Sequence, residues 1–319
     1  MKKKEIIKYL IFALLGGLII YFIQRNFTFE EFLKNLKLAK IPYVILSVSV
    51  GVLAVFIRAM RWRLLLEPLG FKTSLSNAYH ATMSGYLVNL GIPRSGEVSR
   101  CAMFSKTDKV PLNVLVGTVL SERVLDLVML LLVVFGAVAI QFDLLYNYIY
   151  ENLIVKIQEN VFLLSIVVVL MLAGLVVVFR AKKIFKADSG IGKLFIGFFE
   201  GIKSIFTLDK PFLFILYTFG IWVCYWLMTY TIILAFDFSE HLGVAGGLST
   251  LVFSTLGVIV PAPAGSATIG TIYLGLNEIY NLSIDQAKAI GLVMFSSNVI
   301  MIILSGTISY IIMAKRTKV

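Results

Sequence analysis

Residues that build metal and redox sites are scarce in this chain of 319 residues. It has two cysteines, Cys101 and Cys224, and two histidines, His80 and His241, and each pair is widely separated. This spacing gives neither a disulfide framework nor a Cys-x-x-Cys site. It also leaves too few soft ligands for a zinc or redox-metal centre. We therefore expect no metal and no cofactor.

Charged residues are also few. They make up 15% of the chain, against about 25% in a soluble domain, whereas hydrophobic residues make up 59% and the mean hydropathy is +0.92. The composition leaves no room for a sizeable soluble domain. It predicts one all-α, polytopic integral membrane domain over residues 1–319.

Six segments are apolar and long enough to cross a bilayer, which takes about 20 residues. The first begins after a basic N-terminus, and its length and the lack of a small-x-small cleavage site favour a retained helix over a signal peptide. The predicted transmembrane helices are residues 5–24, 41–60, 112–140, 161–179, 211–236 and 289–314.

Two further apolar stretches stop at prolines after about 13 to 15 residues, too short to span. One ends at Pro93 and the other at Pro261, and a second short stretch follows each proline. Interrupted segments in matching positions of two halves point to a transport site. We predict two re-entrant helical hairpins, residues 77–105 and 244–280. The alternative is a pair of kinked helices without a substrate.

The Lys and Arg residues set the expected orientation. With a cytoplasmic N-terminus, six crossings return the C-terminus to the cytosol, and most of the 29 Lys and Arg residues fall on that side. The two hairpins then enter from opposite faces, as in an inverted-topology repeat with halves of roughly 1–180 and 211–319. The net charge of +11 predicts contact with anionic lipid and not with nucleic acid.

The two halves are joined by residues 182–210, in which lysines alternate with apolar residues. This pattern is typical of a cytoplasmic amphipathic helix on the membrane surface. A loop helix packed on the bundle fits it equally well.

The third predicted span carries Glu122, Arg123 and Asp126. Each ionisable group placed deep in a membrane costs at least about 2.5 kcal/mol, so such groups pair and face the protein interior. Arg123 and Asp126 are three residues apart and can pair. Removing both should then do less damage than removing Arg123 alone. The cluster either locks helices together, or its spare carboxylate Glu122 titrates or holds a substrate-binding arginine.

Arg58, Arg61 and Arg63 end the second span, with Trp62 among them. Guanidinium groups bind phosphate oxygens bidentately, which lysine cannot do. We expect these arginines to bind a headgroup and Trp62 to anchor at the headgroup level. The alternative is ordinary positive-inside anchoring.

The first hairpin tip runs from Pro93 and Arg94 to Glu97 and Arg100. Proline followed by small residues opens a helix, and free N–H groups at a helix start bind anions. Glu97 and Arg100, three residues apart, can pair. The alternative is a cytoplasmic turn.

The second tip contains Pro261, Pro263 and Gly265 and no charge. This tip either presents backbone dipoles to a substrate that approaches it closely, or it forms only a tight turn.

Three motifs together resemble the flippase-like membrane domain family, the family of the lysylphosphatidylglycerol synthase membrane region. They are Arg-x-x-Arg-Trp-x-x-Leu-Leu from Arg58, Asn89-x-x-x-Pro93-x-x-x-Glu97-x-x-Arg100, and Glu122-Arg123-x-x-Asp126. The resemblance implies a lipid-handling domain with two re-entrant hairpins. It also implies movement of an aminoacylated phospholipid in one branch and a link to polyprenol-linked sugars in others.

The second tip departs from the family pattern. Ala264 and Ala267 stand where glycines are usual, and Gly270 stands where an acid is usual. A carboxylate role at this tip is therefore not carried over from the family.

Three functions fit the sequence. The first is a translocase in the cell membrane, moving an anionic, modified or polyprenol-linked lipid between leaflets without enzymatic chemistry. The second is a non-catalytic partner of a lipid-modifying or glycosylation enzyme. The third is a lipid-phosphate transferase or hydrolase that uses Glu97, Glu122 or Asp126 as acid or base.

Overall fold

A computed structural model of the chain describes residues 29–92, 95–142, 208–259 and 266–317, together with Tyr146 and Ser165. Within these ranges the chain is helical and forms no strand. The helices are α1 (Phe29–Leu38), α2 (Ile41–Leu66), α3 (Leu75–Gly91), α4 (Gly96–Asp108), α5 (Leu112–Ile140), α6 (Pro211–Leu234), α7 (Gly243–Ile259), α8 (Ser266–Tyr280) and α9 (Ile284–Arg316).

Five helical segments in these ranges are long and apolar enough to cross a membrane. They are α5, α6, α9, α2 with the short 3-10 turn that follows it, and α7 with the 3-10 turn that precedes it. The segments at α2, α5, α6 and α9 fall on predicted spans. The one at α7 falls on the first limb of the predicted second hairpin. The chain is therefore a multi-pass membrane protein that is helical throughout the part that the structure describes.

The predicted spans at 5–24 and 161–179 lie outside the described residues, apart from the single residue Ser165. The predicted amphipathic segment at 182–210 also lies outside them, except for its last three residues. The residues named for the two hairpin tips, Pro93, Arg94, Pro261, Pro263 and Gly265, are outside them as well.

Local side chains set several helix starts. The Oγ of Ser74 accepts from the backbone N–H of Asn77 at the start of α3, at 3.4 Å. At the start of α9, Ser283 and Gln286 each accept a hydrogen bond from the other's backbone N–H. Such caps satisfy N–H groups that have no partner within the helix.

The limbs of the predicted first hairpin are α3 and α4, which pack side by side with their backbones almost touching. A Cβ built on Gly96 would lie 2.3 Å from the carbonyl oxygen of Gly85. The limbs of the second predicted hairpin, α7 and α8, meet at a similar point, where a Cβ on Gly257 would lie 2.4 Å from the Cα of Thr268. Glycine is needed here because any side chain would push the helices apart.

Helix α9 packs against both helix pairs. A Cβ on Gly306 would lie 2.9 Å from the Cβ of Leu87 on α3, and a Cβ on Gly291 would lie 3.2 Å from a methyl carbon of Ile269 on α8. Helix α2 packs along α6, and both also contact α9. Helix α5 contacts both α2 and α4, so the bundle brings residues of these three helices together.

The start of α2 is tied to the end of α6 by Lys40. Its Nζ lies 2.7 Å from Asp237 Oδ1 and 2.9 Å from Glu240 Oε2. The two carboxylates raise the pKa of Lys40, so it stays cationic. Both ion pairs are solvent-exposed, and such pairs stabilise little.

Candidate functional site

Five charged side chains from three helices meet inside the bundle. Arg58 and Arg61 come from α2, Arg100 from α4, and Glu122 and Asp126 from α5. Residues three or four apart share one helix face, so α2 and α5 each present two charges to the same place. Arg61 and Glu122 are completely buried, at 0% exposure, and Arg58 and Arg100 are at least nine-tenths buried. We name these five residues the arginine cluster.

Each carboxylate of the arginine cluster bridges two arginines. Arg61 Nη2 lies 2.9 Å from Asp126 Oδ1 and 3.4 Å from Glu122 Oε1. Arg58 Nη2 donates to the second oxygen of Asp126, at 3.1 Å. Arg100 donates to the second oxygen of Glu122. The two acids therefore hold α2 and α4 against α5.

Aromatic residues complete the surroundings of the cluster. Arg58 Nη1 donates to the hydroxyl of Tyr225 on α6 at 3.1 Å. The guanidinium of Arg100 lies 4.5 Å from the centre of the Trp62 ring, a cation–π contact that contributes about 2 kcal/mol when desolvated. Trp62 in turn donates to Thr118 Oγ1 at 2.9 Å. The prediction that Trp62 anchors at the headgroup level is wrong, because this side chain is completely buried.

A second, more exposed ion pair lies at the rim. Arg123 Nε is 3.1 Å from Glu97 Oε1, and Arg123 Nη2 is 3.0 Å from Asp126 Oδ2. The side chains of Arg123 and Glu97 are 40% and 46% exposed. The predicted Arg123–Asp126 pair is therefore confirmed. The predicted Glu97–Arg100 pair is wrong, because Arg100 turns inward to the buried Glu122 and leaves Glu97 to Arg123.

The cluster has more positive charge than its acids neutralise. Three guanidinium groups face two carboxylates, and the rim pair of Arg123 and Glu97 leaves the balance unchanged. The Nε atoms of Arg58, Arg61 and Arg100 and the Nη1 of Arg61 are buried without a hydrogen-bond partner among the described residues. A buried, unpaired polar group is costly. One anion with several acceptor oxygens would both neutralise the charge and use these donors.

Two other residues from the sequence prediction lie apart from these ion pairs. Arg63 is half-buried, and its Nε has no partner among the described residues. Asn89 is exposed on α3, where its Cβ faces Gly96. Arg58 and Arg61 are buried, and their Nη2 atoms pair with Asp126, so they are not simple positive-inside anchors.

Sequence reasoning missed Tyr225 and Thr118. Tyr225 is 167 residues from Arg58 in the chain, so no local motif links them, although a hydroxyl within an apolar span is a signal. Thr118 lies four residues before Glu122 and so on the same helix face as that acid.

The acids of the site are committed to arginines, which argues against acid–base catalysis. Within the described ranges, no three His, Cys, Asp or Glu side chains converge as metal ligands would. The arrangement is suited to holding an anion by charge and hydrogen bonds.

Comparison with known proteins gives two matches. The sequence model of the family described as "Lysylphosphatidylglycerol synthase TM region" matches residues 6–306. A UPF0104 membrane protein of Methanocaldococcus jannaschii is 29% identical over 129 residues, which cover 40% of this chain and 38% of that relative. The match thus spans much less than two thirds of the relative's length. No solved structure matches the chain.

Proposed function

Because the chain belongs to the lysylphosphatidylglycerol synthase transmembrane region family, we propose that it moves a lipid with an anionic, phosphate-bearing headgroup between the leaflets of the cell membrane. The observation that carries this proposal is the excess positive charge of the arginine cluster, together with its unpartnered guanidinium donors.

Arginine is the side chain best suited to this task. Its planar fork matches the oxygens of a phosphate and stays charged when buried. Ionisable residues within membrane segments usually mark substrate pathways because they are costly to place there. Here the cost is raised further by a net charge that Glu122 and Asp126 do not cancel.

The helix pairs supply a route in this proposal. We place the α3–α4 and α7–α8 pairs as two re-entrant hairpins that enter from opposite faces of an inverted repeat. Helix α4 starts next to one tip and carries Arg100 of the arginine cluster and Glu97 of the rim pair, so a rearrangement of the first hairpin would move both directly. The headgroup would cross between the hairpins while the lipid chains stay in the bilayer.

The transferase alternative has less support. A general acid or base must be free to exchange a proton with its substrate. Glu122 bridges two arginines, Asp126 contacts three, and Glu97 is paired with Arg123. No observation favours a purely non-catalytic partner role over transport.

The experiment that tests the proposal is the identification of co-purifying lipid by mass spectrometry for the wild type, Arg58→Lys and Arg61→Lys. Lysine keeps the charge but loses bidentate geometry, so lipid should bind the arginine cluster at least about tenfold more weakly, and the total retained anionic lipid should fall below that of the wild type. The matched control is Arg316→Lys, since Arg316 is exposed and hydrogen-bonds Ser76 and Asn77 outside the cluster. Equal retention of anionic lipid in both cluster variants and the wild type would contradict the proposal.

A further inference from the structure

A groove of about 300 Å³ lies between α4 and α9, and its lining includes no residue of the arginine cluster. On each helix its lining residues recur at spacings of three and four, so each helix presents one face to it. The residues that matter here are Ser99, Ala102 and Lys106 on α4, Tyr310 and Ala314 on α9, and Thr317 directly after α9. Alanine at two facing positions leaves the space that larger side chains would fill.

The groove has a defined direction because α4 and α9 run parallel. Both are antiparallel to α3: Asn77, near the start of α3, bonds Asp108 at the end of α4. Arg316, at the end of α9, likewise bonds Ser76 at the start of α3. Lys106 and Thr317 therefore lie together at one end, the mouth of the groove, and Ser99 and Tyr310 lie deeper.

The groove has an apolar middle and a basic mouth, which suits a molecule with an apolar chain and an anionic headgroup. Met103 and Met313 contribute its apolar middle, and methionine adapts to irregular partners. Lys106 is exposed at the mouth, where a lysine stem can lie along apolar surface with its ammonium in the headgroup layer. Basic residues next to a membrane attract anionic lipid.

We propose that this groove binds one phosphate-bearing lipid from the adjacent leaflet, with its phosphate on Lys106 and its first chain carbons against the partly exposed Met103, while the buried Met313 forms the floor. This is a second lipid site, distinct from the arginine cluster. Arg100 pairs with Glu122 on α5 and does not line the groove, whereas the neighbouring Ser99 does. The second site does not require that the protein transports lipid.

The test uses a cysteine placed in the groove, Ala314→Cys, in the full-length protein in vesicles. The native Cys101 and Cys224 are buried, which keeps background labelling low. The rate of labelling by N-ethylmaleimide is compared in phosphatidylcholine vesicles with and without phosphatidylglycerol. Phosphatidylglycerol should slow labelling at least about tenfold. Lys315→Cys, exposed next to the groove but not lining it, is the control for surface charge and should show no such protection.

A second variant locates the phosphate. In the Ala314→Cys background, Lys106→Gln should raise the phosphatidylglycerol fraction needed for half-protection about fivefold, the effect of one basic residue at an anionic surface. No effect of Lys106→Gln would overturn the assigned phosphate contact.

Three other results would overturn the proposal. Equal labelling rates in all vesicles would show that the groove holds no lipid. Slow labelling in every vesicle and in detergent would show that the chain itself fills the groove. Protection by inorganic phosphate in pure phosphatidylcholine vesicles would show a site for the free anion and not for a lipid.

Discussion

Arg61 and Asp126 form an ion pair with 2.9 Å between Nη2 and Oδ1, in which the arginine side chain is completely buried. The two residues are 65 positions apart in the chain. Asp126 also accepts from Arg58 and contacts Arg123. One carboxylate on α5 thus organises arginines from two helices, and removing it would leave several charges without their partner.

Substitutions of Asp126 and Arg123 should therefore lower the free energy of unfolding by very different amounts. Asp126→Ala removes the carboxylate partner of the buried Arg58 and leaves Arg61 with Glu122 alone, and should cost about 3 to 5 kcal/mol. Arg123→Ala should cost less than about 1 kcal/mol, because Arg123 is 40% exposed. Thermal unfolding in detergent measures both. The double variant should be at least as unstable as Asp126→Ala alone, and a double variant more stable than Arg123→Ala would contradict this.

That expectation reverses the one drawn from sequence spacing. The three-residue spacing of Arg123 and Asp126 correctly predicted their pair, but it could not show that Asp126 serves two more arginines on another helix. Local spacing also wrongly paired Glu97 with Arg100, because the buried Glu122 is a stronger partner than an exposed neighbour on the same helix. Tertiary contacts decide between partners that are equally close in sequence.

Composition and hydropathy predicted the helical membrane class and the spans at α2, α5, α6 and α9. They did so because apolar length is a property of each segment alone. The gathering of Arg58, Arg61, Arg100, Glu122 and Asp126 into one cluster depends on how α2, α4 and α5 pack. That arrangement is set by contacts between distant segments, which a single sequence does not reveal.

The close contact of α3 and α4 gives a second prediction. Gly96→Ala places a methyl group against the backbone of Gly85 and should destabilise the protein by about 1 to 3 kcal/mol, as overpacking does. Gly136→Ala is the matched control, since nothing lies within 4 Å of the added Cβ on α5. It should be neutral or stabilising by up to about 1 kcal/mol. The measurement is the midpoint of thermal unfolding of each variant. Equal midpoints for Gly96→Ala and Gly136→Ala would refute the close contact of α3 and α4.

The orientation of α9 gives a third prediction. Asp285 lies in its first turn and Lys315 in its last. With both termini in the cytosol, Asp285→Cys should react with a membrane-impermeant thiol reagent only from outside the cell, and Lys315→Cys only from the cytoplasm. The buried native cysteines add little background. Labelling of both positions from the same side would show that α9 does not span the membrane.

The most direct test of the central claim is lipid movement across vesicles that contain the purified protein. The measurement is the rate at which fluorescent phosphatidylglycerol in the inner leaflet becomes accessible to dithionite outside. We expect the wild type to exceed protein-free vesicles at least about tenfold, and Arg58→Lys and Arg61→Lys to lose most of that gain. Arg316→Lys should match the wild type. Wild-type rates in both cluster variants, or no gain over protein-free vesicles across anionic phospholipids and polyprenol phosphates, would contradict the account.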